Sequence, residues 1–465
     1  MGGPIKVVRD DHFSGDSLGR SRRKKIAVGE LLVIVFLTLL SLVTIFPLRE
    51  VAFASPENVL QFDNYLQVYS TTQAQTSSST LVDDPQAILN FTLTENRVVL
   101  VLYSACNYKG SSEDTFGKEL AIAVDNTTQA KIHTGAISSG QGNGGTVVWL
   151  GTLGAGAHTI KGRFRTMGSF TVTIDERRLT AVIFIGGAAD FSYTRSTVQS
   201  STNSDTFVDD PQANVTIDTP VCKALIIYST TTYAGVVGAN DSGMWITTNV
   251  NGTDYPVDIC GGDLNLCASD SADQQHATIV TFAEGSNTVK GRFRRSYNAG
   301  NAYISERQLA ILLLPSDLET DTVNSTGTVS VTGTTLSDDN EASITRATTA
   351  TRYCLALYSA SRSIAGASAG KKVAIKIDGT DYTLNAQKGG ASSSVPNGVS
   401  FHSGIVELAP GSHTVKGRFA ANDAAQTAKV NRRILSVLWF SPAAPIPPGK
   451  PVLVSPENAT STADN

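Results

Sequence analysis

The sequence predicts an all-β protein: three tandem antiparallel β-sandwich domains behind an N-terminal hydrophobic helix. Four landmarks recur in one order, three times over, with a period near 125 residues. Between them lie short apolar or β-branched runs separated by turns containing Gly, Asn and Asp. Beyond residue 54 no segment sustains the 3.6-residue apolar period of an amphipathic helix.

Composition allows this reading. At 465 residues and 41% hydrophobic content the chain can bury about three cores of ordinary size. The formal charge is −4, but residues 1–25 hold seven Lys/Arg and three Asp/Glu; taking these from 37 and 41 leaves 30 against 38, or −8. A body of that sign repels phosphate backbones, which argues against nucleic acid as a partner.

In chain order, residues 1–25 form a basic, cytoplasmic n-region containing Arg20, Arg22, Arg23, Lys24 and Lys25. Residues 26–54 read as a signal peptide or signal-anchor helix. The stretch 26–48 spans about 34 Å as a helix, enough to cross a bilayer. Ala52 and Ala54 supply the small residues that precede a cleavage site, here before Ser55. Cleavage and retention both stay open, and both export the remainder to the cell surface or beyond. If uncleaved, residues 26–48 make the membrane a partner. Residues 55–68 are a linker or an extra strand, 69–191, 192–317 and 318–442 are the three sandwich modules, and 443–465 is a Pro-rich tail.

Each module carries the same landmarks. VDDPQA (82–87), VDDPQA (208–213) and SDDNEA (337–342) come first, followed by apolar runs ending at Tyr103-Ser104, Tyr228-Ser229 and Tyr358-Ser359. HTIKGRF (158–164), NTVKGRF (287–293) and HTVKGRF (413–419) come next, then Arg-containing segments before Leu179, Leu309 and Leu435. In the third of these segments Thr414, Lys416 and Arg418 fall on one strand face and Val415, Gly417 and Phe419 on the other, so one face packs and the other meets water. Asn251-Gly252 and Asp378-Gly379 are two-residue hairpin signals. Some eight strands per module fit a two-sheet sandwich of jelly-roll topology.

The run of apolar residues, a Gly turn and His-Thr-Val-Lys, with a late Arg-x-Leu strand, resembles the jelly-roll modules of microbial surface proteins and phage appendages. Carbohydrate-binding and tumour-necrosis-factor-like sandwiches are looser relatives. The resemblance covers residues 70–442 and implies architecture and a surface location, without carrying a site.

Catalytic groups do not converge. His133, His158, His276, His402 and His413 match no zinc spacing, and no nucleophile elbow or phosphate loop is present. No cofactor is expected, with one reservation: the recurrent pairs Asp83/Asp84, Asp209/Asp210 and Asp338/Asp339 offer the oxygens that Ca²⁺ takes. The competing reading makes each pair a turn with one Asp capping backbone amides, and it is favoured. Lys161/Arg163, Lys290/Arg292 and Lys416/Arg418 read as a solvated sheet face, paired across strands with Glu176-Arg177 and Glu306-Arg307. For ligand contact, Trp245 stands where the other modules have Glu119 and Lys372, with Tyr233 and Tyr255 nearby in sequence. Cys260 and Cys267 could close a local disulfide, and Asn90, Asn126, Asn214, Asn240, Asn251, Asn324 and Asn458 stand in glycosylation sequons.

The function expected from these features is that of an exported, non-enzymatic surface protein whose modules serve adhesion, glycan contact or surface-layer assembly, with glycans or other surface proteins as partners. A filament subunit assembled by donating the strand-like segment 59–70 is the alternative. A secreted carbohydrate-active enzyme stands third, and would need two carboxylates facing each other in one cleft.

Overall fold

The computed structural model describes residues 59–109, 118–134, 142–234, 244–261, 271–295, 301–365, 371–387, 398–421 and 424–442. The first nine strands are β1 (Gln61–Ser70), β2 (Ala74–Thr76), β3 (Val82–Leu93), β4 (Arg97–Lys109), β5 (Lys118–Val124), β6 (Thr127–Thr134), β7 (Gly142–Leu153), β8 (Gly156–Thr166) and β9 (Val172–Ile185). The second set is β10 (Phe191–Ser196), β11 (Ser200–Thr202), β12 (Val208–Thr219), β13 (Cys222–Ala234), β14 (Met244–Val250), β15 (Thr253–Gly261), β16 (Ser271–Phe282), β17 (Gly285–Arg295) and β18 (Ala302–Leu314). The third is β19 (Glu319–Ser325), β20 (Val329–Thr332), β21 (Ser337–Thr348), β22 (Arg352–Ala365), β23 (Lys371–Ile377), β24 (Thr380–Gln387), β25 (Gly398–Leu408), β26 (Gly411–Ala421) and β27 (Thr427–Phe440).

Every set makes the same two antiparallel sheets. In the first, an inner sheet runs β1-β9-β4-β7, with β2 also on β9, and an outer sheet runs β3-β8-β5-β6. β1 and β2 lie in line along β9, so they are one interrupted strand. That order, eight strands wound between two sheets, is the jelly roll. The hairpins β5-β6, β14-β15 and β23-β24 turn through Asp125-Asn126, Asn251-Gly252 and Asp378-Gly379, all with positive φ, as the tightest hairpin turns require.

The two kinds of sheet differ in what they bury. An outer strand such as β8 alternates: Ile160, Gly162 and Phe164 are buried between half-exposed neighbours. Inner strands are buried on both sides, because Val99, Val101 and Tyr103 face the first sandwich core while Val98, Leu100 and Leu102 enter a second one. That second core is common to all three sandwiches: Leu225, Ile227 and Leu312 reach it from the second, Leu355, Leu357 and Phe440 from the third. Phe62 stacks on Phe440 with centroids 4.8 Å apart, joining β1 to β27. Three sandwich cores and one shared core therefore hold the described chain together.

Two expectations change. The first sandwich takes in the segment 55–68 that was expected as a linker or an extra strand: its strand starts at Gln61, rather than at residue 69, pairs along β9 and buries Leu66 in the first core. Within segment 59–70, residues 61–70 are thereby already paired along β9 of their own sandwich, which takes away the free strand that donation to a neighbour needs. Residues 1–25, the helix expected over 26–54 and the tail 443–465 lie outside the described residues. Among the described residues no helix is long and apolar enough to cross a membrane.

Candidate functional site

The four landmarks meet inside each sandwich. Asp84 sits in a bulge of β3, where the pairing with β8 jumps from Asp83 opposite Arg163 to Ile88 opposite Lys161. Its Oδ1 accepts the backbone N–H of Gln86 at 3.1 Å, its Oδ2 accepts the Tyr103 hydroxyl at 2.8 Å, and Arg177 Nε stands 3.0 Å away. Asp210 holds Tyr228 at 2.8 Å and Arg307 at 2.8 Å; Asp339 holds Tyr358 at 2.8 Å and Arg433 at 2.9 Å. All nine side chains are buried. Each arginine also donates across the gap in the interrupted first strand, to the carbonyl of Thr72, Val198 or Gly327. Burial pushes the Asp210 and Asp339 carboxyls above the usual range, against the opposing pull of Arg307 and Arg433. The glycine of each Lys-Gly-Arg-Phe segment lies under the tyrosine: a Cβ at Gly162, Gly291 or Gly417 would come within 2.5 Å of that ring.

The first Asp of each pair faces outward. Asp83 holds Lys161 and Arg163 at 2.6 Å each; Asp209 holds Lys290 and Arg292 at 2.6 and 3.0 Å; Asp338 holds Lys416 and Arg418 at 2.8 Å each. Hydrogen bonding from Lys416 keeps Asp338 below the ordinary carboxylate range. The six acids expected as turns or Ca²⁺ ligands are thus committed to cationic side chains. The two of a pair face opposite sides of the sheet, one to water and one to the core. The pairing expected between the lysines and arginines of the strand face and Glu176-Arg177 or Glu306-Arg307 is corrected: Arg177 and Arg307 are interior, and the outward Asp takes their place.

His158 and His413 clip two turns together. His158 Nδ1 lies 2.8 Å from Asp125 and Nε2 2.8 Å from the Gly154 carbonyl; His413 does the same with Asp378 at 2.5 Å and Ala409 at 2.7 Å. Asn287 fills that place in the second sandwich, accepting from Asn251 at 2.8 Å and donating to the Ala283 carbonyl at 2.9 Å.

Polar chemistry that the repeat does not explain gathers at the seams. Equivalent positions on β5 and β14 meet equivalent positions on the next sandwich's β18 and β27. At the first seam Glu119 faces Glu306. Lys131 bridges them, 3.0 Å from Glu119 Oε2 and 2.9 Å from Glu306 Oε1, and His133 Nε2 lies 2.8 and 3.8 Å from the same two atoms. Arg165 adds a 3.0 Å contact to Glu119. Both glutamates are buried, and their ligand-type atoms and that of His133 lie within 4.8 Å of one another. Burial opposes the Glu119 charge, yet hydrogen bonds from His133, Lys131 and Arg165 outweigh it and hold its carboxyl at about 2. Backbone contacts back this seam: Gln308 donates to the Lys131 carbonyl at 2.7 Å, and His133 N–H to Thr231 at 2.9 Å.

At the second seam Arg432 lies over the Trp245 ring, 3.9 Å from its centroid, and Arg294 lies 5.0 Å from it. Trp245 was expected to contact sugar together with Tyr233 and Tyr255, and the structure places the three as follows. Trp245 meets Arg432 of the third sandwich, Tyr255 packs against the second core, and Tyr233 belongs to β13 of the other sheet. The third seam brings Arg178 over Tyr382 at 5.9 Å. The five described sequon asparagines, Asn90, Asn126, Asn214, Asn251 and Asn324, are exposed; Asn240 and Asn458 lie outside the described residues. Cys260 is on β15, while Cys267, and with it the expected disulfide, lies outside the described residues. Cys106, Cys222 and Cys354 are buried, and Cys222 and Cys354 are free thiols.

By strand order the chain is a jelly-roll protein. No protein-family model matches it, and no curated protein does. Among solved structures, PNGF-II in a C2 crystal form is 10% identical, aligning over 75% of this chain and 99% of its own with a TM-score of 0.27. The triple jelly roll fold of an archaeal virus turret assembly is 11% identical over 81% of this chain and 91% of its own, TM-score 0.18. Infectious bursal disease virus, Gt strain, is 8% identical over 84% and 85%, TM-score 0.20.

Proposed function

We propose that the chain is an exported, non-enzymatic surface protein whose three sandwich domains act as one head for contact with, or assembly of, an extracellular layer. The observation that carries this reading is the shared core, which turns three repeats into one solid body. Supporting it, the repeated polar landmarks serve cohesion: each Asp-Tyr-Arg set is interior and each outward Asp is paired within its own sheet. Glycan contact through Trp245 loses support, since arginine covers that ring. Residues 26–48 would deliver the head across the membrane and, uncleaved, hold it there.

The test is topology on intact cells. Cells expressing the full chain are treated with a membrane-impermeant amine-biotin reagent, and labelled peptides are mapped. Labelling of head lysines such as Lys161 without lysis is expected. Labelling that appears only after lysis overturns the proposal.

A further inference from the structure

We propose that Glu119, His133 and Glu306 form a zinc site that clasps the first sandwich to the second. The donor set is one imidazole nitrogen and two carboxylate oxygens, all within 4.8 Å of one another. Tetrahedral zinc with bonds of about 2.0–2.2 Å holds its ligand atoms about 3.3 Å apart. The distances from His133 Nε2, 2.8 Å to Glu119 and 3.8 Å to Glu306, straddle that value, and the two glutamate oxygens, within 4.8 Å of one another, need only draw together to complete the geometry.

A second observation points to a ligand at the same place. Glu306 is only 3% exposed, and among the described residues its Oε2 has no hydrogen-bond partner. A buried carboxylate oxygen left without a donor is costly, and a cation shared with Glu119 would relieve it. The ammonium of Lys131 already bridges one oxygen of each glutamate, so the cluster is built to hold positive charge between the two sandwiches. That ammonium ends a flexible stem whose side chain is 33% exposed, and it can withdraw into water when a metal ion enters. His133, 25% exposed in its side chain, is the most accessible of the three ligands, and water would supply the fourth. An imidazole among the donors favours zinc over Ca²⁺, which takes six to eight oxygens. Two ligands come from β5 and β6 and the third from β18, so binding links residues far apart in the chain.

Equilibrium dialysis of the EDTA-stripped full-length chain against Zn²⁺ tests the assignment. The wild type should retain one zinc per chain. Lys131→Met, which removes the competing ammonium, should bind about tenfold more tightly, and Glu306→Gln about tenfold more weakly. Zinc should also raise the melting temperature of the wild type and leave that of Glu306→Gln unchanged. If Glu306→Gln does not fold, Lys131→Met decides: affinity no higher than wild type overturns the site. Absence of zinc from both wild type and Lys131→Met, equal zinc retention by Glu306→Gln, or displacement of zinc by an equal concentration of Ca²⁺ also overturns it.

Discussion

Arg307 neutralises Asp210 where no water reaches either, and that dependence sets the largest single-residue effect to expect. Arg307→Met should strand a buried carboxylate and cost about 3–5 kcal/mol, whereas adding Asp210→Asn should recover part of the loss; urea unfolding of the two variants measures the difference. His276 supplies a pH dependence. Burial pushes its imidazole down to about 4. As pH falls below about 6.5 the unfolded chain therefore takes up the proton first, so the group's contribution is complete above that pH and is lost towards pH 4, by about 3 kcal/mol. His276→Gln should flatten the decline in urea midpoint between pH 7 and 4.5 relative to wild type. At this scale the sequence was half legible. Asp84, Tyr103, Gly162 and Arg177 stood out because they recur, and capping of backbone by one Asp of each pair was expected; the structure gives that place to the second. Their mutual contact was hidden, because they lie on four strands split between two sheets and spacing along a chain does not report which residues face one another across a core.

At the scale of strands, the clearest signals were backbone chemistry and periodicity. Asn251-Gly252 and Asp378-Gly379 were readable as hairpins because few other residue pairs accept two positive φ values. Asp125-Asn126 makes the same turn without glycine and escaped notice. Residues 55–68 read equally as a linker or an extra strand because Gln61–Ser70 carries polar residues on its half-exposed face, and its place in the first sandwich shows only once β9 is seen beside it. Its pairing there has a consequence for the filament reading. A synthetic peptide of residues 59–70 should neither bind the full-length chain nor increase its light scattering, and a stoichiometric complex would show that β1 can be displaced.

The whole molecule was the least legible level, although a trace was present. Runs such as Val98 to Leu102 and Leu309 to Leu314 are apolar without alternation, which means burial on both faces. What covered the second face was out of reach, because the cover comes from other repeats. The shared core predicts that the sandwiches melt together. Calorimetry should give one unfolding transition, and Leu312→Ala should lower it as a unit, at a cost of about 2–5 kcal/mol. Separate endotherms, with only one displaced by the mutation, would mean the repeats are energetically independent. Carrying three sandwiches on one polypeptide has a further effect. A trimer of identical subunits dissociates on dilution and must repeat every residue around its axis; a tethered set does neither. Evolution is then free to make each joint chemically distinct, as the substitution of Glu119 by Trp245 at the corresponding place illustrates, so the arrangement has a fixed order and one copy of each specialised feature per particle.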